Sequence, residues 1–273
     1  MRVRDIDKGE LKSMKHFAEA LAREVGEIQR SRLGHSIQVE HKGVVDLVTQ
    51  VDCRCEEVIL GRISDRFPHH HIVAEESEHS QSGGAFRWYV DPLDGTTNYV
   101  HGYPCFSVSI GLAVEGEIVL GVVYDPMRDE VFSGTRGGGA FCNGRKISVS
   151  QTQDLDQSLL ATGFPYDIRE SRENNIDHFT RFVLTAQGVR RDGSAALDLC
   201  YVATGRFDGF WEMKLQPWDL AAGVIMVREA GGRVSDLRDG RFRIDSGEVL
   251  ATNGSIHGQM VSVLNEGRIP RGG

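Results

Sequence analysis

Apolar residues recur at helical spacing near the start of the chain. Leu11, Met14, Phe17, Ala18, Leu21, Val25 and Ile28 lie on one face, so residues 9–31 read as an amphipathic helix that Gly34 ends. Residues 44–49 (Val-Val-Asp-Leu-Val-Thr) are short and rich in β-formers, with Asp46 in a structural place beside the strand. Asp52 then opens a second helix with Val58, Ile59 and Ile63 on one face and Pro68 beyond its end. A strand-rich stretch follows. Residues 88–90 run into Asp91, residues 106–114 and 118–124 flank the turn Glu115-Gly116, and short strands are expected at 131–132 and 140–141. Asn143-Gly144 is a type I′ hairpin signal ahead of a strand at 146–149.

Past Ser150 the pattern changes. Strands at 159–162, 207–211 and 249–251 alternate with helices at 172–187, 194–204, 219–230 and 255–266, with Gly205 and Gly231-Gly232 as stops. This predicts a layered α/β fold. Two lobes, 1–150 and 151–273, are expected to pack as one body with any site in the crevice between them.

Charge narrows the function. The net charge of −8 over 273 residues comes without any dense Lys/Arg run, which disfavours nucleic acid and acidic lipid as partners. An anionic substrate would be repelled too, unless bound cations reverse the local sign. The charged first ten residues lack the apolar core of a signal peptide. No apolar run approaches the roughly 18 residues that span a membrane. The five cysteines (53, 55, 105, 142, 200) are scattered, and Cys53-Arg-Cys55 has no second pair to complete a zinc pattern. Reduced thiols in a cytoplasmic protein follow.

Candidate chemistry centres on Asp91-Pro92-Leu93-Asp94-Gly95-Thr96-Thr97-Asn98. Pro92 is expected to stop the strand at Asp91, because it has no N–H for the ladder. Gly95 lets backbone approach a ligand, and Thr96 can begin a helix whose N–H groups hold an anion. The loop alone is equally well an Asx-turn and helix cap. Glu75-Glu76 follows an apolar run, and adjacent side chains at a strand end point to opposite sides, so one can face a site while the other faces away. Their alternative is a solvated acidic run. Asp219 and Asp52 are either N-caps or site carboxylates. Carboxylates at strand ends and helix starts suit magnesium, a hard cation, and two ions about 4 Å apart can clamp an in-line phosphoryl displacement.

The residues 91–98, with Ala74-Glu-Glu-Ser77 before them and Trp218-Asp219-Leu-Ala-Ala-Gly223 far behind, resemble the inositol monophosphatase family, its bacterial branch in particular. The likeness extends to segments 42–52, 139–144 and 193–199 and covers roughly residues 10–265. It implies an α-β-α-β-α sandwich of the inositol monophosphatase and fructose-1,6-bisphosphatase type, usually a homodimer, often inhibited by lithium. It implies two to three Mg2+ ions, with most ligands in the first lobe. Glu75, Asp91 and the Leu93 carbonyl would bind the first and Asp91, Asp94 and Asp219 the second, while a weaker third would share Glu75. Asp52 and Thr96 would orient the attacking water. The backbone of Gly95 and Thr96 would hold phosphate, with Asp94 and Asp219 alongside. Glu212 and the backbone at Ala195 would contact substrate hydroxyls. Glu76 would sit just outside the ligands, and Lys42 would belong to a loop over the site. The segment Lys214-Leu-Gln-Pro217 differs from the animal enzymes beside the hydroxyl-recognition position.

The implied reaction is hydrolysis of myo-inositol monophosphate, a small phosphorylated polyol, by metal-activated water. The same chemistry on fructose 1,6-bisphosphate, a nucleotide 2′- or 3′-phosphate, NADP or histidinol phosphate is the alternative, and a regulatory protein that kept the fold is a rival of another class. His69-His70-His71 reads as a solvated turn, Gly137-Gly138-Gly139 as a hairpin or bulge, and Trp88, Trp211 and Trp218 as packing residues.

Overall fold

The computed structural model describes residues 7–35, 39–41, 47–77 and 84–266. The expectations for Lys42 and Asp46 lie outside the described residues.

The first layer is helical. Asp7 caps α1 (Lys8–Arg32) by accepting from Glu10 N at 3.1 Å, and the buried stripe Met14, Ala18, Leu21, Ala22 and Val25 faces inward. A two-stranded antiparallel ribbon, β1 (Val39–His41) with β2 (Leu47–Thr49), leads to α2 (Gln50–Arg66). Thr49, not Asp52, is the N-cap of α2. Asp52 sits one turn in and accepts in return from Thr49 N at 3.0 Å, a capping box.

The second layer is a seven-stranded sheet in chain order. It comprises β3 (His71–Ala74), β4 (Phe86–Asp94), β5 (Ser107–Val114), β6 (Glu117–Asp125), β7 (Glu130–Thr135), β8 (Gly139–Cys142) and β9 (Arg145–Lys146). Only the β3–β4 pair is parallel. The expected hairpins are present, with left-handed φ at Glu115-Gly116 and Asn143-Gly144. Strand β9 ends at Lys146 rather than Val149. Pro92 does not stop β4 either. The pairing runs from Asp91↔Ser109 to Asp94↔Ser107 with a register shift between, and Pro92 lies in that bulge, where no N–H is asked of it.

The third layer is α5 (Ala195–Ala203) beside α6 (Pro217–Glu229), between the two sheets. All of α5 and residues 220–227 of α6 are buried, so these helices are apolar all round. Two paired glycines, Gly111 and Gly121, let α6 approach. A Cβ there would lie 2.5 Å from the Ala221 Cβ and 2.5 Å from the Ala222 carbonyl, respectively.

The fourth layer is a five-stranded mixed sheet in the order β11 (Gly188–Arg190), β10 (Leu159–Thr162), β12 (Gly209–Glu212), β14 (Val249–Thr252), β13 (Arg233–Ser235). Helices α4 (Ile176–Thr185) and α7 (His257–Asn265) form the fifth, packed over Phe182, Trp211 and Met260. The result is an α-β-α-β-α sandwich, as the resemblance implied. Helix α4 is shorter than the expected 172–187 because Asn175 takes a left-handed φ of 71° and the chain cannot run into it helically. Strands β11 and β13, three residues each, have too little alternation to signal themselves.

Candidate active site

A cleft of about 440 Å³ opens where the two sheets meet. One wall carries Glu75, Asp91 and Leu93–Thr97. The other carries residues 162–166, 193–195, Glu212 and the start of α6 with Trp218 and Asp219. The parallel pairing Ala74↔Val90 brings Glu75, the residue after β3, alongside Asp91. Glu76 faces the other way and lines a separate depression with Glu56, whose Oε2 accepts from Glu76 N at 2.8 Å.

Asp91, Asp94 and Asp219 are each held by the main chain. Asp91, 2% exposed, accepts from Leu93 N at 2.9 Å. Asp94 Oδ2 accepts from Ala196 N at 3.0 Å, from Ser107 Oγ at 3.3 Å and from Ser194 Oγ, which ties the bulged end of β4 to the first turn of α5. Asp219 accepts from Gln216 N at 2.7 Å. It lies in the first turn of α6, which Pro217 opens two residues earlier than expected. Gly95 joins β4 to the short helix α3 (Thr96–Val100) with φ 96°, and a Cβ there would be 2.9 Å from the Cys105 carbonyl. Asp52 is fully buried behind the cleft wall, not on it. Thr96 Oγ stands between, 2.9 Å from Asp52 Oδ1 and 3.0 Å from the Leu93 carbonyl, and its single proton serves one of these acceptors at a time.

The electrostatics are those of crowded anions. Burial pushes the Asp91 carboxyl well above its usual range, and the charges of Glu75, Asp94 and Asp219 push it further. Burial also raises Asp94, against the Ser194 and Ala196 hydrogen bonds, and raises Asp219, against the Gln216 N–H. Asp219 remains partly open at the cleft surface. Burial lifts Asp52, opposed by Thr49 and Thr96. Glu212 is pushed up to about 8 by burial, with Arg191 acting against the rise.

Among the described residues the lining carries six carboxylates and two cations, Arg191 and Lys214, and Lys214 pairs with Asp167 at 2.6 Å. Those lining residues include no Cys or His. A lining rich in carboxylate oxygens fits a hard divalent cation rather than zinc. No group of three His, Cys, Asp or Glu side chains among the described residues is already drawn in closely enough to hold an ion. Mutual repulsion works against that approach until a cation enters.

The residue pattern left parts of this cleft unmarked. Gly163–Tyr166, Arg191 and Asp198 line it, and Asp198, 1% exposed, has an Oδ1 with no hydrogen-bond partner. The available signal was position, since Gly163 follows the carboxyl end of a parallel strand, where α/β sheets bind ligands. Trp218 also lines the cleft and is not a packing residue only. His70 is not a solvated turn residue: its ring stacks on Phe86 at 4.3 Å, its Nδ1 accepts from Trp88 Nε1 at 3.1 Å, and burial lowers it to about 4. The Gly137 and Gly139 N–H groups sit in a hairpin turn and bind the Glu229 carboxylate.

Residues 10–268 match the model of the inositol monophosphatase family. The chain belongs to that family. It is 48% identical over 229 residues to an inositol-1-monophosphatase of Synechocystis, covering 83% of this chain and 80% of the relative. It is 41% identical over 256 residues to Nus factor SuhB of Escherichia coli, covering 93% and 96%. The structure of inositol monophosphatase from Anabaena superposes with a TM-score of 0.86 at 45% identity, covering 93% of this chain and 96% of that one. The protein is thus a phosphatase, of a family whose members are generally metal-dependent.

Glu212 gives this cleft a pH signature. A carboxyl whose pKa is about 8 in the fold and 4.5 outside it binds more protons when folded, so its contribution to stability falls as pH rises through that window. Replacing Glu212 with Gln should flatten the decline between about pH 5 and 8 in metal-free protein, measured by urea unfolding. An unchanged pH profile would contradict the assignment.

Proposed function

We propose that this chain is a magnesium-dependent phosphomonoesterase acting on myo-inositol monophosphate. The observation that carries the reading is the gathering of Glu75, Asp91, Asp94 and Asp219 opposite Glu212 in one cleft. Glu75, Asp91 and the Leu93 carbonyl would hold one Mg2+, Asp91, Asp94 and Asp219 a second, and a weaker third would share Glu75. Bound cations would supply the positive charge that lets the phosphate enter and that stabilises the charge developing on its oxygens.

The chain's own groups do the rest. The N–H groups of Gly95 and Thr96 point into the turn and receive the phosphate. Asp52 accepts from the Thr96 hydroxyl, so the oxygen of that hydroxyl turns a lone pair toward the attacking water and orients it. Glu212 and the backbone at Ala195 take the alcohol's hydroxyls. The names of the Synechocystis relative, an inositol-1-monophosphatase, and of the Anabaena structure, an inositol monophosphatase, support the choice of alcohol. Among the described residues no helix is long and apolar enough to cross a membrane, in keeping with a role in the cytoplasm.

The same reading includes a homodimer. Ile176, Val183 and Leu184 stand 46%, 51% and 81% exposed along α4, an apolar face left uncovered among the described residues. The protein should sediment at twice its 30.2 kDa chain mass, and a monomer at micromolar concentration would remove this part.

A second reading rests on the relative named Nus factor SuhB, which favours a regulatory role for the same fold. Purified protein assayed with Mg2+ on inositol monophosphate, fructose 1,6-bisphosphate, nucleotide 2′- and 3′-phosphates, NADP and histidinol phosphate separates the two. Inositol monophosphate should be turned over best, and Asp91→Asn should lower phosphate release by at least about a thousandfold. No turnover on any substrate leaves only the regulatory reading. Near-normal activity in the variant rejects the metal assignment.

A further inference from the structure

Asn175 sits at the N-cap position of α4, yet its side chain caps nothing. It is 3% exposed, turns into the protein, and makes three side-chain hydrogen bonds on two strand ends. Its Nδ2 donates to Thr162 Oγ at 2.8 Å and to the Gly163 carbonyl at 2.6 Å, and its Oδ1 accepts from Trp211 Nε1 at 2.8 Å. Thr162 Oγ in turn donates to the Trp211 carbonyl at 2.7 Å. Thr162 and Trp211 are parallel partners across β10 and β12. The amide therefore clamps the two strands at the point where both reach the cleft.

The next residues along those strands are Gly163 and Glu212, and they touch. A Cβ on Gly163 would lie 2.1 Å from Glu212 Oε1 and 2.3 Å from its Cδ. The Glu212 carboxyl thus rests against a bare Cα, and its reach into the cleft depends on the gap between the two strand ends. No other residue type of this size offers two donors and one acceptor in that arrangement. Asn is also, after Gly, the residue that best tolerates the left-handed φ found here.

We propose that Asn175 is a positioning residue for substrate recognition: its clamp on Thr162, Gly163 and Trp211 holds the Glu212 carboxyl where the hydroxyls of the polyol bind. The inference rests on the reading of Glu212 as the hydroxyl-binding group. None of the side-chain hydrogen bonds of Asn175 goes to a carboxylate assigned to metal; all run to the second sheet or the turn after it. Its loss acts on recognition of the alcohol and spares phosphate chemistry.

The test compares inositol monophosphate with p-nitrophenyl phosphate, whose alcohol carries no further hydroxyl, at saturating Mg2+. Asn175→Ala should lower kcat/KM for inositol monophosphate about tenfold, mostly through KM, and change that for p-nitrophenyl phosphate less than about twofold. Trp211→Phe removes the Nε1 donor together with part of the indole ring, leaves both hydrogen bonds donated by Asn175 in place, and should shift the same preference about threefold. If the alanine variant does not fold, the phenylalanine variant decides by the same ratio. Unchanged preference, or equal losses on both substrates, overturns the proposal. Glu212→Gln separates the layers of the argument. If it leaves the preference intact, the hydroxyl-binding reading falls and the positioning role with it. If it removes the preference while the clamp variants keep it, the positioning role alone falls.

Discussion

Like charges held together in a poorly solvated cleft are the constraint on which the rest of this structure turns. Asp91, Asp94 and Asp219 are each raised above the ordinary carboxylate range by burial, and Glu75 adds its charge to Asp91. Such an arrangement works against the fold unless something positive is admitted. The two sheets and the helices between them can be read as the frame that keeps these groups from separating.

One device recurs in that frame. Asp52, Asp91, Asp94 and Asp219 each accept a main-chain N–H, from Thr49, Leu93, Ala196 and Gln216. The charges are therefore fixed by secondary structure at helix starts and a strand bulge, with the hydroxyls of Ser107, Ser194 and Thr96 in support. The bulge around Pro92 spaces Asp91 from Asp94, and the paired glycines under α6 set how near Asp219 comes. The Glu212 side is built differently. Glu212 faces Arg191, and its carboxyl rests against the bare Cα of Gly163, at the ends of two strands joined through Asn175.

The layered architecture was legible because long periodic segments and hairpin signals carry it: the stripe on α1, Asn143-Gly144, and the strand–helix alternation after Ser150. The metal-side loop was legible because Asp91–Thr97 packs carboxylates, proline and glycine into seven residues. Its local geometry was not, since whether a proline ends a strand or sits in a bulge depends on the neighbouring strand. Asp52 was legible as a helix-start acid, but that it lies behind Thr96 is a tertiary fact. Gly163 and Asn175 gave no local sign at all. A glycine after a strand and an asparagine before a helix are ordinary punctuation until the partner strand is known. His70 shows the reverse error, because three polar rings in a row suggested solvent where stacking on Phe86 and Trp88 prevails.

The central claim is that the carboxylate cluster awaits divalent cations, and thermal or urea unfolding across a Mg2+ titration tests it most directly. Ligand binding to the folded state alone should raise stability by about 2.7 kcal/mol at a hundred times the dissociation constant. The account predicts a saturable gain of that order in the native protein, largely lost in Asp91→Asn, whose metal-free form should be at least as stable as the native metal-free form. A native protein whose unfolding midpoint does not move with Mg2+ would contradict it.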